Sequence, residues 1–211
     1  MAKREAVAFA GSAASSEQFP KDGLPEIAFL GRSNVGKSSL LNRLAGVRKL
    51  AHVSSTPGHT RLVNFFRYGN TLYLADLPGY GYARVPETER QRWERMVTSY
   101  LIDRAPLALC VFLVDARHDP SDGDRTLGQF LDHYGLPYAL VATKADKLGR
   151  GEVNRRVQAL ENGLGVTSRG VVAVSAETGA GIDDLWNLIR EAAAQHANAP
   201  REVVEKGDAS L

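Results

Sequence analysis

The sequence predicts an α/β fold: a doubly wound, mostly parallel sheet with helices on both faces. Two observations carry this. Continuous apolar runs at 27–30, 107–114, 138–142 and 171–174 read as strands covered on both sides. Between them lie longer segments whose apolar residues recur at helical spacing. Strands alternating with helices imply right-handed crossovers and place ligand loops at the C-terminal edge of the strands. The 211 residues, 44% of them apolar, suffice for one such domain with a sizeable core and are too few for two.

Taken in order, residues 1–25 are rich in Ala, Ser and Gly, with Pro20 and Pro25, and read as an extended lead-in along the domain edge. The first strand, 27–30, is followed by a helix carrying Leu40, Leu41 and Leu44 and closing at Gly46. Runs 62–67 and 71–75, joined through Tyr68-Gly69-Asn70, read as an antiparallel hairpin. Four later helices show core-facing stripes. These are Trp93, Met96, Val97, Tyr100 and Leu101; then Leu127, Phe130, Leu131 and Tyr134; then Val153, Val157 and Leu160; and finally Ile182, Leu185, Trp186 and Ile189. The domain is expected to span 26–196, leaving 197–211 as a polar, frayed tail.

The chemistry sits just after the strands. Gly31-Arg32-Ser33-Asn34-Val35-Gly36-Lys37-Ser38-Ser39 has the form G-x-x-x-x-G-K-S, a loop whose amides cradle phosphates. Lys37 would reach the β and γ oxygens, and the Ser38 hydroxyl could ligate Mg²⁺. A helix follows at once, so its positive end reinforces the cradle. Thr143-Lys144-Ala145-Asp146 follows a second strand. The Asp146 carboxylate can accept from both the N1–H and the exocyclic amine of guanine, whereas adenine would leave it unpaired. The Lys144 stem can lie along the base. Asp76-Leu77-Pro78-Gly79 ends a third strand; Asp76 would hold Mg²⁺ through a water, and the Gly79 N–H would meet the γ-phosphate. Thr60 could complete the metal shell while a γ-phosphate is present. Val174-Ser175-Ala176 offers a backbone N–H to guanine O6. The motifs together predict a GTP site.

With these residues in place, the chain resembles the translation-factor-related P-loop GTPases, and within them the EngB family. The strings that carry the resemblance are G-R-S-N-V-G-K-S-S at 31–39, T-P-G-H-T at 56–60, D-L-P-G-Y-G-Y-A at 76–83, T-K-A-D at 143–146 and Ser175-Ala176. It spans roughly 26–196, nearly the whole chain. It implies a three-layer Ras-like fold on a six-stranded, mostly parallel sheet with one antiparallel edge hairpin. It further implies GTP and GDP contacts from Gly58, His59, Thr60, Arg61 and Leu62, besides the motifs above. His59 stands where the family usually carries Arg or Lys. The resemblance also implies a role in assembling the large ribosomal subunit from rRNA and ribosomal proteins, and in normal cell division and septation.

Composition adds limits. One cysteine, Cys110, lies inside an apolar run and excludes an internal disulfide, which suits a reducing cytoplasm. No stretch approaches the length of a membrane span, so a soluble cytoplasmic protein is expected; a monomer is expected as well. Residues 1–67 hold ten Lys and Arg against four Asp and Glu, and the remainder sixteen against twenty. That asymmetry fits an RNA contact, and fits equally a solvated surface around the nucleotide loop.

The expected reaction is in-line attack of water on the γ-phosphorus, with Lys37, Thr60 and the Gly79 amide as the catalytic groups. Tyr80 stands where many switch GTPases place the Gln that orients this water, so unaided turnover should be slow. Asn34 occupies the loop position that binds K⁺ in related GTPases lacking that Gln; it could equally only stabilise the turn. Two other readings compete: a protein-interaction switch in cell division, and an ATPase or nucleotide kinase using the same loop.

Overall fold

The computed structural model describes residues 5–47, 50, 62–80, 87–149, 151–165 and 170–199. Among the described residues, seven strands form one sheet: β1 (Val7–Ala13), β2 (Glu26–Gly31), β3 (Val63–Tyr68), β4 (Leu72–Asp76), β5 (Leu107–Asp115), β6 (Tyr138–Thr143) and β7 (Val171–Ala173). Their order is β1-β3-β4-β2-β5-β6-β7. β4, β2, β5, β6 and β7 run parallel, and β3 is antiparallel to both neighbours. The expected hairpin is therefore β3–β4, but it is not an edge, and the sheet has one strand more than expected. The extra strand comes from the lead-in. Its Ala, Ser and Gly residues have little strand propensity, and pairing along the open side of β3 organises them instead. A bulge between Phe9 and Gly11 absorbs one residue of mismatch.

Five helices cover the sheet: α1 (Lys37–Ala45), α2 (Glu87–Asp103), α3 (Asp122–His133), α4 (Val153–Leu164) and α5 (Ile182–Asn198). One face packs Leu40, Leu41 and Leu44 of α1 with Ile182, Leu185, Trp186 and Ile189 of α5. The other packs Tyr100 and Leu101 of α2, Leu131 of α3, and Leu160 and Leu164 of α4. The described residues ascribed to these stripes pack in the two cores, except Val153, which is half-buried and in neither, and Tyr134. That residue caps the end of α3 and is 47% exposed. Helix α5 runs two residues past the expected domain end, and residues 200–211 lie outside the described part. Cys110 is buried in β5, which pushes its thiol up to about 12, as an inert core residue requires.

A polar knot ties α2 to the far end of β2. Glu26 is fully buried, and its carboxylate accepts from Tyr100 Oη at 2.8 Å and from Arg104 Nε at 3.0 Å. Arg104 Nη2 reaches the other carboxylate oxygen and also donates to Pro20 O at 2.6 Å. The guanidinium lies over the Phe19 ring, so the buried charge is paired, hydrogen-bonded and covered. Among the described residues no helix is long and apolar enough to cross a membrane.

Candidate functional site

The parallel strands deliver four of the predicted motifs to one edge of the sheet. β2 ends at Gly31, and the loop to α1 turns through Asn34 (φ 64°) and Gly36 (φ 107°), left-handed conformations that Asn and Gly tolerate. Gly31 is required by space. A Cβ there would stand 2.9 Å from Leu113 O and 3.0 Å from Val35 Cγ1. Lys37 and Ser38 open the first turn of α1, which ends where expected, at Gly46 (φ 68°).

The Asp76–Gly79 segment packs directly on this loop. Ser33 N donates to Tyr80 O at 2.9 Å, and a Cβ on Gly79 would meet Gly31 O and Ser33 N at 3.1 Å. Lys37 Nζ forms a close ion pair with Asp76 Oδ1, with only 10% and 6% of the two side chains exposed. Leu77 and Pro78 are buried beside them, and Leu77 N bonds back to Phe29 O.

Tyr80 reaches elsewhere. Its hydroxyl donates to Asp124 Oδ1 at 2.5 Å, and its ring lies so close to Gly123 that a Cβ there would come within 3.1 Å. Asp124 is buried at the start of α3 and forms a capping box with Ser121. Burial and the Asp124 carboxylate together push the phenol pKa well above its usual value. Tyr80→Phe should therefore lower stability by about 1 to 2 kcal/mol in urea unfolding, because one bond to a buried carboxylate is lost while Ser121 keeps the rest.

At the end of β6, Thr143 Oγ1 donates to Val35 O at 2.7 Å, joining this strand to the loop after β2. Lys144 adopts a left-handed conformation (φ 61°), and its Nζ donates to Asn34 O and to Asp115 Oδ2, both at 2.8 Å. Asp115 also accepts from Arg117 Nε at 2.9 Å and Nη2 at 2.8 Å. Burial alone would raise its carboxyl pKa, but bonds from Arg117 and Lys144 outweigh this and hold it well below the carboxylate range. Asp146 accepts from Ser175 Oγ at 2.7 Å and Lys147 Nζ at 3.0 Å. The Ser175 bond and then Lys147 lower its pKa, so it is ionised at neutral pH. Ala145 N donates to Val174 O at 3.1 Å, which sets the two base motifs side by side.

Between these groups lies a cleft of about 160 Å³. Gly36, Ser39 and Leu40 form one wall, Thr143, Lys144, Asp146 and Lys147 a second, and Val174, Ala176 and Glu177 a third. The structure thus brings together the predicted residues of 31–39, 76–79, 143–146 and 174–176. Gly58, His59, Thr60 and Arg61 lie outside the described residues, and Leu62 stands just before β3, 38% exposed. Sequence reasoning missed Asp115, Arg117, Lys147 and Glu177. Asp115 could have been found: it is a carboxylate closing a buried strand at the same edge as every other motif.

The same arrangement occurs in known proteins. The sequence profile of the 50S ribosome-binding GTPases matches residues 26–144. The chain is 46% identical over 186 residues to the probable GTP-binding protein EngB of Syntrophus aciditrophicus, covering 88% of this chain and 94% of that one. It is 44% identical over 182 residues to the protein of that name from Heliobacterium modesticaldum, covering 86% and 89%. A crystal structure of a probable GTP-binding protein EngB superposes with a TM-score of 0.67 at 27% identity, covering 81% of this chain and 99% of its own. By profile, by identity along most of its length and by fold, this chain belongs to the EngB family of GTP-binding proteins, within the 50S ribosome-binding GTPases.

Proposed function

We propose that the protein binds GTP and GDP in this cleft, hydrolyses GTP slowly, and acts as a nucleotide-dependent switch in assembly of the large ribosomal subunit, with a consequent need in cell division and septation. The observation that carries the reading is the sharing of one cleft. Asp146, suited to the guanine N1–H and amine, opens onto the same space as Gly36 and Ser39 of the phosphate loop. In this reading the amides of 31–39 and Lys37 hold the phosphates, and Lys144 lies along the base. The Ala176 N–H meets guanine O6, and Gly58, His59, Thr60, Arg61 and Leu62 are the remaining proposed contacts.

The donor set suits Mg²⁺. Ser38 supplies a hydroxyl in the first turn of α1, Asp76 a carboxylate one strand away, and Thr60 is the second proposed ligand. When bound, the ion would neutralise charge on the β and γ oxygens. Lys37, paired with Asp76 in this structure, would exchange that partner for phosphate oxygens, and the Gly79 N–H would meet the γ-phosphate. Water is left without an orienting amide, since the Tyr80 phenol is held by Asp124. Turnover is accordingly slow without help. K⁺ at Asn34 is the proposed source, as the exposed side chain next to the Lys144 contact could take a share of its shell. Replacing Na⁺ by K⁺ should raise the rate of phosphate release about tenfold, a span smaller than that given by an arginine finger; equal rates in the two salts would refute it.

The ribosomal reading is supported by the name of the matching family and by the basic first third of the chain. Co-sedimentation tests it. The protein loaded with a GTP analogue should pellet with large-subunit particles, and the GDP form should stay in the supernatant. Nucleotide-dependent binding to a division protein with no affinity for the particles would favour a non-ribosomal switch instead.

A further inference from the structure

We propose that Arg43 is a positioning residue for base recognition: from α1 it grips the turn between β7 and α5 and fixes where that turn meets the base. The inference rests on the reading of the cleft as a guanine-nucleotide site. Arg43 lies in the last turn of α1 with its side chain exposed, and its Nη2 donates to Thr178 O at 3.1 Å. The same residue is held from its other side. Thr178 N donates to Ser175 Oγ at 3.0 Å, and that hydroxyl donates to Asp146 Oδ1 at 2.7 Å. One chain of hydrogen bonds therefore runs from the base-reading carboxylate through Ser175 and Thr178 to a cation on the helix that begins at the phosphate loop.

The neighbouring residue independently marks this contact. Gly179 adopts φ +88°, and a Cβ there would stand 2.2 Å from Arg43 Nη2. The turn thus has room for the guanidinium because position 179 carries no side chain. Ala176 and Glu177, which line the cleft, are the two residues between the anchored points Ser175 and Thr178. With Ser175 N bonded to Ala180 O and Gly179 N to Ser175 O, the turn is closed on itself. Arg43 ties it to α1 through a bond that is charge-assisted and so stronger than a neutral one. Losing it frees the turn to tilt as a unit, and the Ala176 amide tilts with it.

A bland role exists for comparison: a cation near the C-terminal end of a helix favours the helix dipole. That role would show as stability without regard to the base. The test uses GDP beside 6-thioguanosine diphosphate, which keeps the N1–H and the amine but replaces O6 with a weakly accepting sulfur. In Arg43→Ala, GDP should bind about tenfold more weakly, roughly the loss of one well-placed hydrogen bond. The thio analogue should change less than about twofold, because it never had the O6 contact, and the melting temperature should hold. Equal weakening of both ligands, or of neither, would overturn the proposal while leaving the nucleotide reading intact. A wild-type protein that binds neither ligand would take down both.

Discussion

Asp146→Asn should convert the protein from a guanine to a xanthine binder. The carboxylate accepts twice, once from the ring N1–H and once from the exocyclic amine. An asparagine there keeps one acceptor and offers an N–H where guanine presents its amine, so donor faces donor. Xanthine carries a carbonyl at that position and restores the pairing. Ser175 Oγ and Lys147 Nζ already donate to Asp146, and the substituted amide would keep the Ser175 bond while losing the attraction to Lys147. That cost is small because Lys147 is 60% exposed. The base effect is large: one mispaired polar group in a shaped site discriminates by about 100-fold or more. Competition against labelled GDP should show GDP weakened by at least that factor and xanthosine diphosphate strengthened. Unchanged selectivity would remove Asp146 from the base site, and equal displacement by ATP would exclude a guanine site altogether.

Lys37→Ala should abolish GTP hydrolysis and destabilise the nucleotide-free protein at once. The first effect follows from losing the ammonium that the phosphate cradle directs at the β and γ oxygens. The second follows from Asp76, 6% exposed at its side chain and held by Lys37. Removing one partner of a buried pair leaves an uncompensated charge, at a cost of about 3 kcal/mol. A second variant separates the two. Lys37→Ala combined with Asp76→Asn removes the stranded charge, so most of the stability in denaturant should return while hydrolysis stays absent. If both variants were as stable as the wild type, the ion pair would contribute nothing to the resting state. If the single variant still turned over GTP, the loop would not be a phosphate cradle.

The fold was legible where composition and periodicity agreed. The four parallel apolar runs became β2, β5, β6 and β7 within a residue or two, and the stripes of α3, α4 and α5 faced the core apart from Tyr134 and Val153. Strand β1 was not legible as a strand because Val7 and Phe9 are interspersed with Ala, Gly and Ser, which have little strand preference. Its pairing partner, β3, lies more than fifty residues away in sequence. The site was legible wherever a motif fixes the backbone, as with Gly36 and Asp146. Side-chain destinations were not. The position of Tyr80 after Gly79 suggested a phenol near reacting water, whereas Asp124, forty-four residues on, draws it to α3. The bonds of Lys144 to Asn34 and Asp115 likewise depend on three loops meeting in space, which spacing along one chain does not reveal.

The knot of Glu26, Tyr100 and Arg104 gives α2 a fulcrum. It clamps the C-terminal end of a 17-residue helix to the start of β2, at the sheet edge opposite the cleft. At 1.5 Å per residue the helix is a rod about 25 Å long, so a swing of only about 10° at the clamp sweeps its other end through about 4 Å. That other end follows the segment beginning at Asp76. Any displacement of the helix's free end is thus large relative to its clamped end, in a direction set by the clamp.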